Sequence, residues 1–238
     1  MNVGAIRKPR SDNNRRVPEV SQACHRISTK RKRRNKDPNS ALDFDNFWRR
    51  DSNVTTSASM CTGMDIGSVS LEIMFGDRRK VQNVFAFDIL PEVRDFLKYN
   101  FPDLGDTNVG SDVNDFDVTS LPTVDMFWAG FPCQPFSSQG LQQGLADEKG
   151  RGMVIFQIIK YLLAHPPNKS FILENTPGLV TKFEESFELI IATLKKVEGF
   201  KVHWRIMDSR TLGFAQSRPR IYIVGVRDGA DFKWPGPL

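Results

Sequence analysis

Val124-Asp125-Met126-Phe127-Trp128-Ala129-Gly130-Phe131-Pro132-Cys133-Gln134-Pro135-Phe136-Ser137 runs from an apolar stretch into a turn that holds one cysteine between two prolines. The run Val124 to Ala129 reads as a buried strand, short and rich in large side chains. A strand that delivers a Pro-bounded cysteine places it where a parallel sheet opens into a ligand crevice. Proline on both sides restricts the backbone around the thiol, which suits a positioned nucleophile. The competing reading is an ordinary buried cysteine, which packs as a small hydrophobe and gains nothing from such restraint.

The flanking sequence repeats a strand and helix rhythm. Upstream, Val84-Phe85-Ala86-Phe87 reads as a strand, and Pro91 opens a helix at its first turn, where a missing N–H costs little. Downstream, the helix predicted over 152–164 sets Ile155, Ile158, Ile159 and Leu162 on one face, and strand Ser170 to Leu173 follows. A second amphipathic helix carries Phe183, Phe187, Ile190, Ile191 and Leu194. It leads to the alternation Val202, Trp204, Ile206 and then to the strand Ile221 to Val226. The order predicts an α/β domain with a mostly parallel, helix-flanked sheet over residues 59–238.

Charge divides the chain. Of its 33 Lys/Arg and 28 Asp/Glu, 14 and 6 lie in residues 1–60, a net of +8, which leaves 19 against 22, or −3, for residues 61–238. Residues 1–58 are rich in Arg, Lys, Asn and Ser, with too little apolar material to offset the entropy of ordering, and are expected to form a disordered basic tail. Its cluster Lys30 to Arg34 reads equally as a nuclear import signal, a nucleic-acid contact or a solvated arm. Leu42 to Trp48 carries Phe44, Phe47 and Trp48, suited to docking or to a transient helical turn. Cysteines at 24, 61 and 133 form no CxxC pair, and the three histidines give no zinc-ligand spacing, so no metal is expected and the compartment reads as reducing. No apolar run approaches the ~20 residues that span a bilayer, and charges stand where a signal peptide needs an apolar stretch; an intracellular protein without membrane contact is expected.

Acids fall at successive strand ends: Asp88 after Phe87, Asp112 before Val113, and Glu174 after Leu173. The first is placed to accept from ribose hydroxyls and the second from an adenine amine, which together suggest an adenosine-type cofactor. Glu174, at the end of an apolar strand, is either a carboxyl whose pKa burial raises until it can donate a proton, or a helix cap. In Gln216-Ser217-Arg218-Pro219-Arg220, two guanidinium groups two residues apart face one side of an extended segment. They can hold an anion, orient a carboxylate or favour a thiolate, or lie on the surface as a solvated pair.

Gly130 to Ser137, then Asp147-Glu148-Lys149-Gly150-Arg151-Gly152, then Glu174-Asn175-Thr176-Pro177-Gly178-Leu179, then Gln216 to Ile221 resembles the ordered motif series of the DNA (cytosine-5) methyltransferases. The likeness covers roughly residues 61–236. It implies a Rossmann-like methyltransferase fold, S-adenosyl-L-methionine as methyl donor and DNA with a flipped-out cytosine as substrate. By this resemblance Cys133 adds to carbon 6 of the ring, and Glu174 donates toward ring nitrogen 3. Arg218 steadies the adduct and the carboxylate, with Arg220 supporting. Asn175 braces the Pro132-Cys133 loop, Gln134 and Gln216 support, Asp88 with Ile89 meets the cofactor at its ribose, and Asp112 with Val113 meets its adenine. Pro132 and Gly63 complete the cofactor set, and Asp65, which stands where the family has a glycine, is expected instead to approach the cofactor's amino group.

Two departures stand out. The family's Phe-x-Gly-x-Gly-Gly loop is replaced by Cys61-Thr62-Gly63-Met64-Asp65-Ile66-Gly67, and the preceding Thr55 to Ser59 is too polar for a good strand. After Trp234-Pro235 the family continues into a target recognition domain and closing motifs, so such a module is expected in cis or in trans. An RNA (tRNA) cytosine-5 methyltransferase sharing the DNA-type core, and a catalytically silent remnant with a binding or regulatory role, are the alternatives to the DNA enzyme.

Overall fold

The computed structural model describes residues 54–135, 144–147 and 150–237. The basic tail with Lys30 to Arg34, the aromatic stretch Leu42 to Trp48, and Phe136, Ser137, Glu148 and Lys149 of the motifs lie outside the described residues.

Seven strands form one sheet in the order β3-β2-β1-β4-β5-β7-β6. They are β1 (Thr55–Met60), β2 (Val81–Phe87), β3 (Val109–Gly110), β4 (Met126–Ala129), β5 (Ser170–Asn175), β6 (Phe200–Asp208) and β7 (Pro219–Arg227). The first five in that order are parallel, whereas β7 runs antiparallel to both β5 and β6. Helices α1 (Ile66–Phe75) and α2 (Pro91–Asn100) follow β1 and β2; α3 (Val154–Ala164) joins β4 to β5; α4 (Gly178–Lys182) and α5 (Glu184–Leu194) precede β6. Strand order grows away from β1 in both directions, and right-handed crossovers then set α1 and α2 on one face and α3 on the other. The switch point between β1 and β4 is where such sheets bind ligands.

The predicted helical faces are buried: Ile155, Ile158, Ile159 and Leu162 of α3, and Phe187, Ile190, Ile191 and Leu194 of α5. Each such side chain contributes about 1.5–3 kcal/mol on leaving water. The Tyr161 ring packs 4.9 Å from Phe127 and 5.5 Å from Phe85, and its hydroxyl donates to the Pro122 carbonyl, so α3 is anchored on the strand that carries the cysteine turn. Phe183, expected within a helix, instead ends the gap between α4 and α5. Among the described residues no helix is long and apolar enough to cross a membrane.

Thr55 to Ser59, too polar by pattern, nevertheless forms β1, central and buried at all six positions. Internal hydrogen bonds satisfy the polar side chains of Thr56 and Ser57. Thr56 donates from its N and Oγ1 to Asp125 Oδ2 at 2.8 and 2.9 Å, Asp125 N donates to the Thr56 carbonyl and hydroxyl, and Ser57 Oγ donates to Asn83 Oδ1. A buried hydroxyl with a partner avoids the desolvation penalty that polarity alone would predict. The sheet therefore reaches four residues into the span that the sequence assigns to the tail.

Candidate active site

Where β4 ends, Gly130 and the buried Phe131 lead to Pro132 and Cys133, a half-buried free thiol. The segment is tied to the end of β5. Asn175, buried at the last position of that strand, donates from Nδ2 to the Phe131 carbonyl at 3.1 Å. One residue earlier stands Glu174, whose side chain shares the opposite face of the sheet from Asn175. A Cβ placed on Gly130 would lie 3.6 Å from Glu174 Oε2 and 3.5 Å from the Cys61 carbonyl oxygen. Gly130 thus fills the gap between the carboxylate and the loop that follows β1.

Glu174 lies inside β5 rather than after it and pairs in register with Tyr222 of β7. Residues on one face of β7 recur every second position, so Tyr222 and Arg220 face the same side, and Arg218 stands just before the strand. Arg220 Nε contacts Glu174 Oε1 at 2.7 Å. Burial nonetheless holds the Glu174 carboxyl above its ordinary value, outweighing the opposing pull of Arg220 and Arg218. The close ion pair alone would lower it; the desolvation of a side chain seated at the sheet's end is the larger effect. Arg218 is exposed and lies just before β7, two residues ahead of Arg220. The sequence reading gave the carboxylate mainly to Arg218, whereas Arg220 holds it directly.

Arg218, Gln216, Tyr222, Met207, Leu212 and Phe214 line a cavity of about 560 Å³ beside this cluster. Asp208, at the end of β6, fixes the loop that returns to Arg218. It accepts from Arg218 N at 2.8 Å, Arg210 N at 3.0 Å and Ser217 Oγ at 2.6 Å. These donors hold its carboxyl below the usual range, the Ser217 hydroxyl most of all.

Across the switch point, Asp88 Oδ2 accepts from Gly63 N at 3.0 Å, and its Oδ1 accepts from Leu90 N at 2.9 Å. Asp112 caps the turn at Val113 by accepting from Asn114 N. Both acids face the Cys61 thiol, which burial first, and then these two charges, push up to about 12. Ile89 is exposed beside Asp88, and Val113 is buried. Cys61 and Asp65 both adopt left-handed backbone, φ 54° and 48°, a strained conformation for residues with a Cβ. Asp65, expected to approach a cofactor amine, is buried and turned inward. It accepts from Trp128 Nε1 at 2.6 Å and from Ser68 Oγ at 2.7 Å, and burial raises its carboxyl despite both bonds.

Residues 55–236 match the family of C-5 cytosine-specific DNA methylases. The chain belongs to that family. The Type II methyltransferase M.NgoBI of Neisseria gonorrhoeae is 37% identical over 157 residues, which is 66% of this chain and 47% of the relative. M.NlaX of Neisseria lactamica is 39% identical over 136 residues, 56% of this chain and 42% of the relative. This C-5 methylase chain therefore spans about half the length of the curated relatives it matches. Among solved structures, S. pombe Dnmt2 methyltransferase aligns with a TM-score of 0.53 at 16% identity over 76% of this chain and 51% of that one. DNMT2 of Spodoptera frugiperda aligns with 0.54 at 22% over 76% and 52%. At these identities the likeness speaks for the shared Rossmann-like fold.

In the C-5 methylase chain, the fold gathers Glu174, Arg220 and Arg218 into one cluster, ties Asn175 to the Pro132-Cys133 segment, and sets Gly63, Asp88 and Asp112 around Cys61. Gln134 and Gln216 are exposed, and Asp65 is taken up by Trp128 and Ser68. Sequence reasoning missed Gly130, Trp128, Tyr222 and Asp208. Only Tyr222 carried a signal, as the next residue on the Arg220 face.

Proposed function

We propose that this chain transfers a methyl group from S-adenosyl-L-methionine to carbon 5 of a flipped-out cytosine in DNA, through a covalent bond from Cys133 to carbon 6. The observation that carries the reading is the convergence at the ends of β4 and β5. A carboxyl held above its ordinary pKa and fixed by Arg220 lies beside the open side of Gly130, three residues before a free cysteine whose segment Asn175 holds.

The residues on the cofactor side fit an adenosine-bearing molecule. Acids close β2 and β3 at the switch point, and the Gly63 amide orients Asp88, whose remaining lone pairs are free to accept from ribose hydroxyls. Asp112 with Val113 meets the adenine, while Ile89 and Pro132 give apolar contact. Asp65 serves the loop's shape rather than the ligand. When bound, S-adenosyl-L-methionine supplies an electrophilic methyl group.

Carbon 5 of cytosine is a poor nucleophile until the thiolate of Cys133 adds at carbon 6. Charge then accumulates on the ring, and Glu174, whose carboxyl burial biases toward the protonated form, donates toward ring nitrogen 3. Arg220 fixes the orientation of that carboxyl, and Arg218 lies farther out, at the cavity wall. Once carbon 5 carries the methyl group, loss of its proton to a base re-forms the carbon 5–carbon 6 double bond, and the carbon–sulfur pair returns to sulfur and frees Cys133. The target carbon is inaccessible in a stacked duplex, so the base must leave the helix. Net charge of −3 over residues 61–238 supplies little of the phosphate neutralisation that duplex binding needs, and a recognition module in cis or in trans is proposed to provide it. The basic cluster Lys30 to Arg34 adds an arm suited to phosphate contact or nuclear import.

Duplex DNA containing 5-fluorocytosine, incubated with the full-length chain and cofactor, tests the reading by trapping the adduct. A covalent complex in the wild type and none in Cys133→Ser is expected; equal adduct in both removes Cys133 as nucleophile. Calorimetry with S-adenosyl-L-methionine alone should detect binding, and its absence favours a silent remnant.

A further inference from the structure

Helix α1, Ile66-Gly67-Ser68-Val69-Ser70-Leu71-Glu72-Ile73-Met74-Phe75, is apolar almost all round, the pattern of a helix buried on every side. Only Ser68 and Leu71 are buried, however. Ile66, Ile73 and Met74 are 63%, 74% and 79% exposed, and spacings of seven and eight residues put them on one stripe. Phe75 is 40% exposed, and Tyr99 at the end of α2 is 87% exposed. The two helix ends are neighbours, because Arg78, just past α1, donates to the Asn100 carbonyl that ends α2. The part of this surface formed by Ile73, Met74, Phe75 and Tyr99 lies at the opposite end of the sheet from the active site, since both helices run back from the carboxyl ends of parallel strands, whereas Ile66 adjoins the loop after β1. A patch of this kind marks an interaction site.

We infer that the chain's own segment Leu42 to Trp48 docks on this surface. Residues 1–53 contain three aromatic side chains, and all three, Phe44, Phe47 and Trp48, fall in that segment at i, i+3 and i+4, the spacing of one helical face. The tether fits. Thr55 pairs with Val81, and Val81 directly follows the turn Arg78–Lys80 at the end of α1. Seven residues from Trp48 to Thr55 span up to ~25 Å, more than the ~15 Å length of a ten-residue helix. Charges also match, because Asp43 and Asp45 alternate with the aromatics and the exposed Lys80 borders the patch, beside Arg78 and Arg79, which pair with Glu72 and Asp77. A short tether gives an effective concentration in the ~mM range, so modest contact area suffices where a separate molecule would need a larger interface.

Amide hydrogen exchange on the full-length chain decides this. Amides of 42–48 should exchange roughly 10-fold or more slower than unprotected chain, equally at low and high protein concentration. Ile73→Glu, at a position already mostly exposed, should abolish that protection without shifting the thermal unfolding midpoint of the domain. Phe47→Ala with Trp48→Ala should in turn speed exchange in the last turn of α1. Unprotected 42–48 in the wild type, protection that survives Ile73→Glu, or protection that grows with concentration and tracks a dimer in sedimentation would each overturn the assignment.

Discussion

The indole Nε1 of Trp128 donates to the buried carboxylate of Asp65 at 2.6 Å, and this bond joins the loop after β1 to the strand that delivers Cys133. Burial raises the Asp65 carboxyl above its ordinary 3.8, so the folded chain keeps that proton to higher pH than the unfolded chain. The stability linked to it is complete below the unfolded value and is lost as pH rises through the raised one. Asp65→Asn keeps an acceptor for the indole and does not titrate. Urea midpoints measured from acid to neutral pH should decline in the wild type relative to Asp65→Asn; parallel curves would show that Asp65 titrates as in the unfolded chain.

In the proposed reaction Glu174 acts as an acid only while protonated, and its raised pKa extends that state to higher pH. Glu174→Gln should lower the transfer rate by about 10²–10⁴, the usual contribution of a general acid. Arg220 pulls the pKa down from 2.7 Å away. Arg220→Ala should therefore move the alkaline limb of the pH–rate profile upward even as the maximal rate falls. A limb that moves downward contradicts the electrostatic assignment.

Asp125 accepts from Thr56 N, Thr56 Oγ1 and Asn168 Nδ2, and it is 8% exposed. Its loss removes the carboxylate that accepts from a buried amide and hydroxyl of the central strand. Asp125→Ala should cost about 2–4 kcal/mol in denaturant unfolding, given the strength of bonds to a charged acceptor. Asp125→Asn, which keeps acceptors for these donors, should cost less.

The same contacts explain what the sequence made legible. Apolar periodicity announced α3 and α5, and the runs at 84–87 and 221–226 announced β2 and β7, because each buries side chains against the sheet without polar help. β1 was illegible: its Ser and Thr residues depend on Asp125 and Asn83, 69 and 26 residues away, and no local window contains both partners. At the site, residue types and motif order marked Glu174, Arg218 and Arg220, yet which arginine meets the carboxylate is set by the β5 and β7 register. Asp65 illustrates the same limit, since the indole that claims it lies 63 positions away.

Gly225 and Gly130 separate packing from function. Gly225 lies opposite Phe171 in the β5 and β7 ladder, and a Cβ there would stand 2.0 Å from the Phe171 ring, itself fully buried. The ring has no open space to enter, so Gly225→Ala should destabilise the domain by about 1–3 kcal/mol or more. Cofactor affinity of the molecules that remain folded should be unchanged, because neither residue reaches the switch point. Gly130 presents the reverse case. Its added methyl would meet Cys61 O and Glu174 Oε2 at 3.5 and 3.6 Å, ordinary contact distances that the fold accommodates within about 1 kcal/mol. That methyl would occupy the space between the cofactor loop and the acid, so Gly130→Ala should weaken S-adenosyl-L-methionine binding and slow adduct formation while leaving the unfolding midpoint nearly unmoved. Unfolding curves and calorimetry on both variants check the split; equal losses of stability would mean that Gly130 serves packing alone.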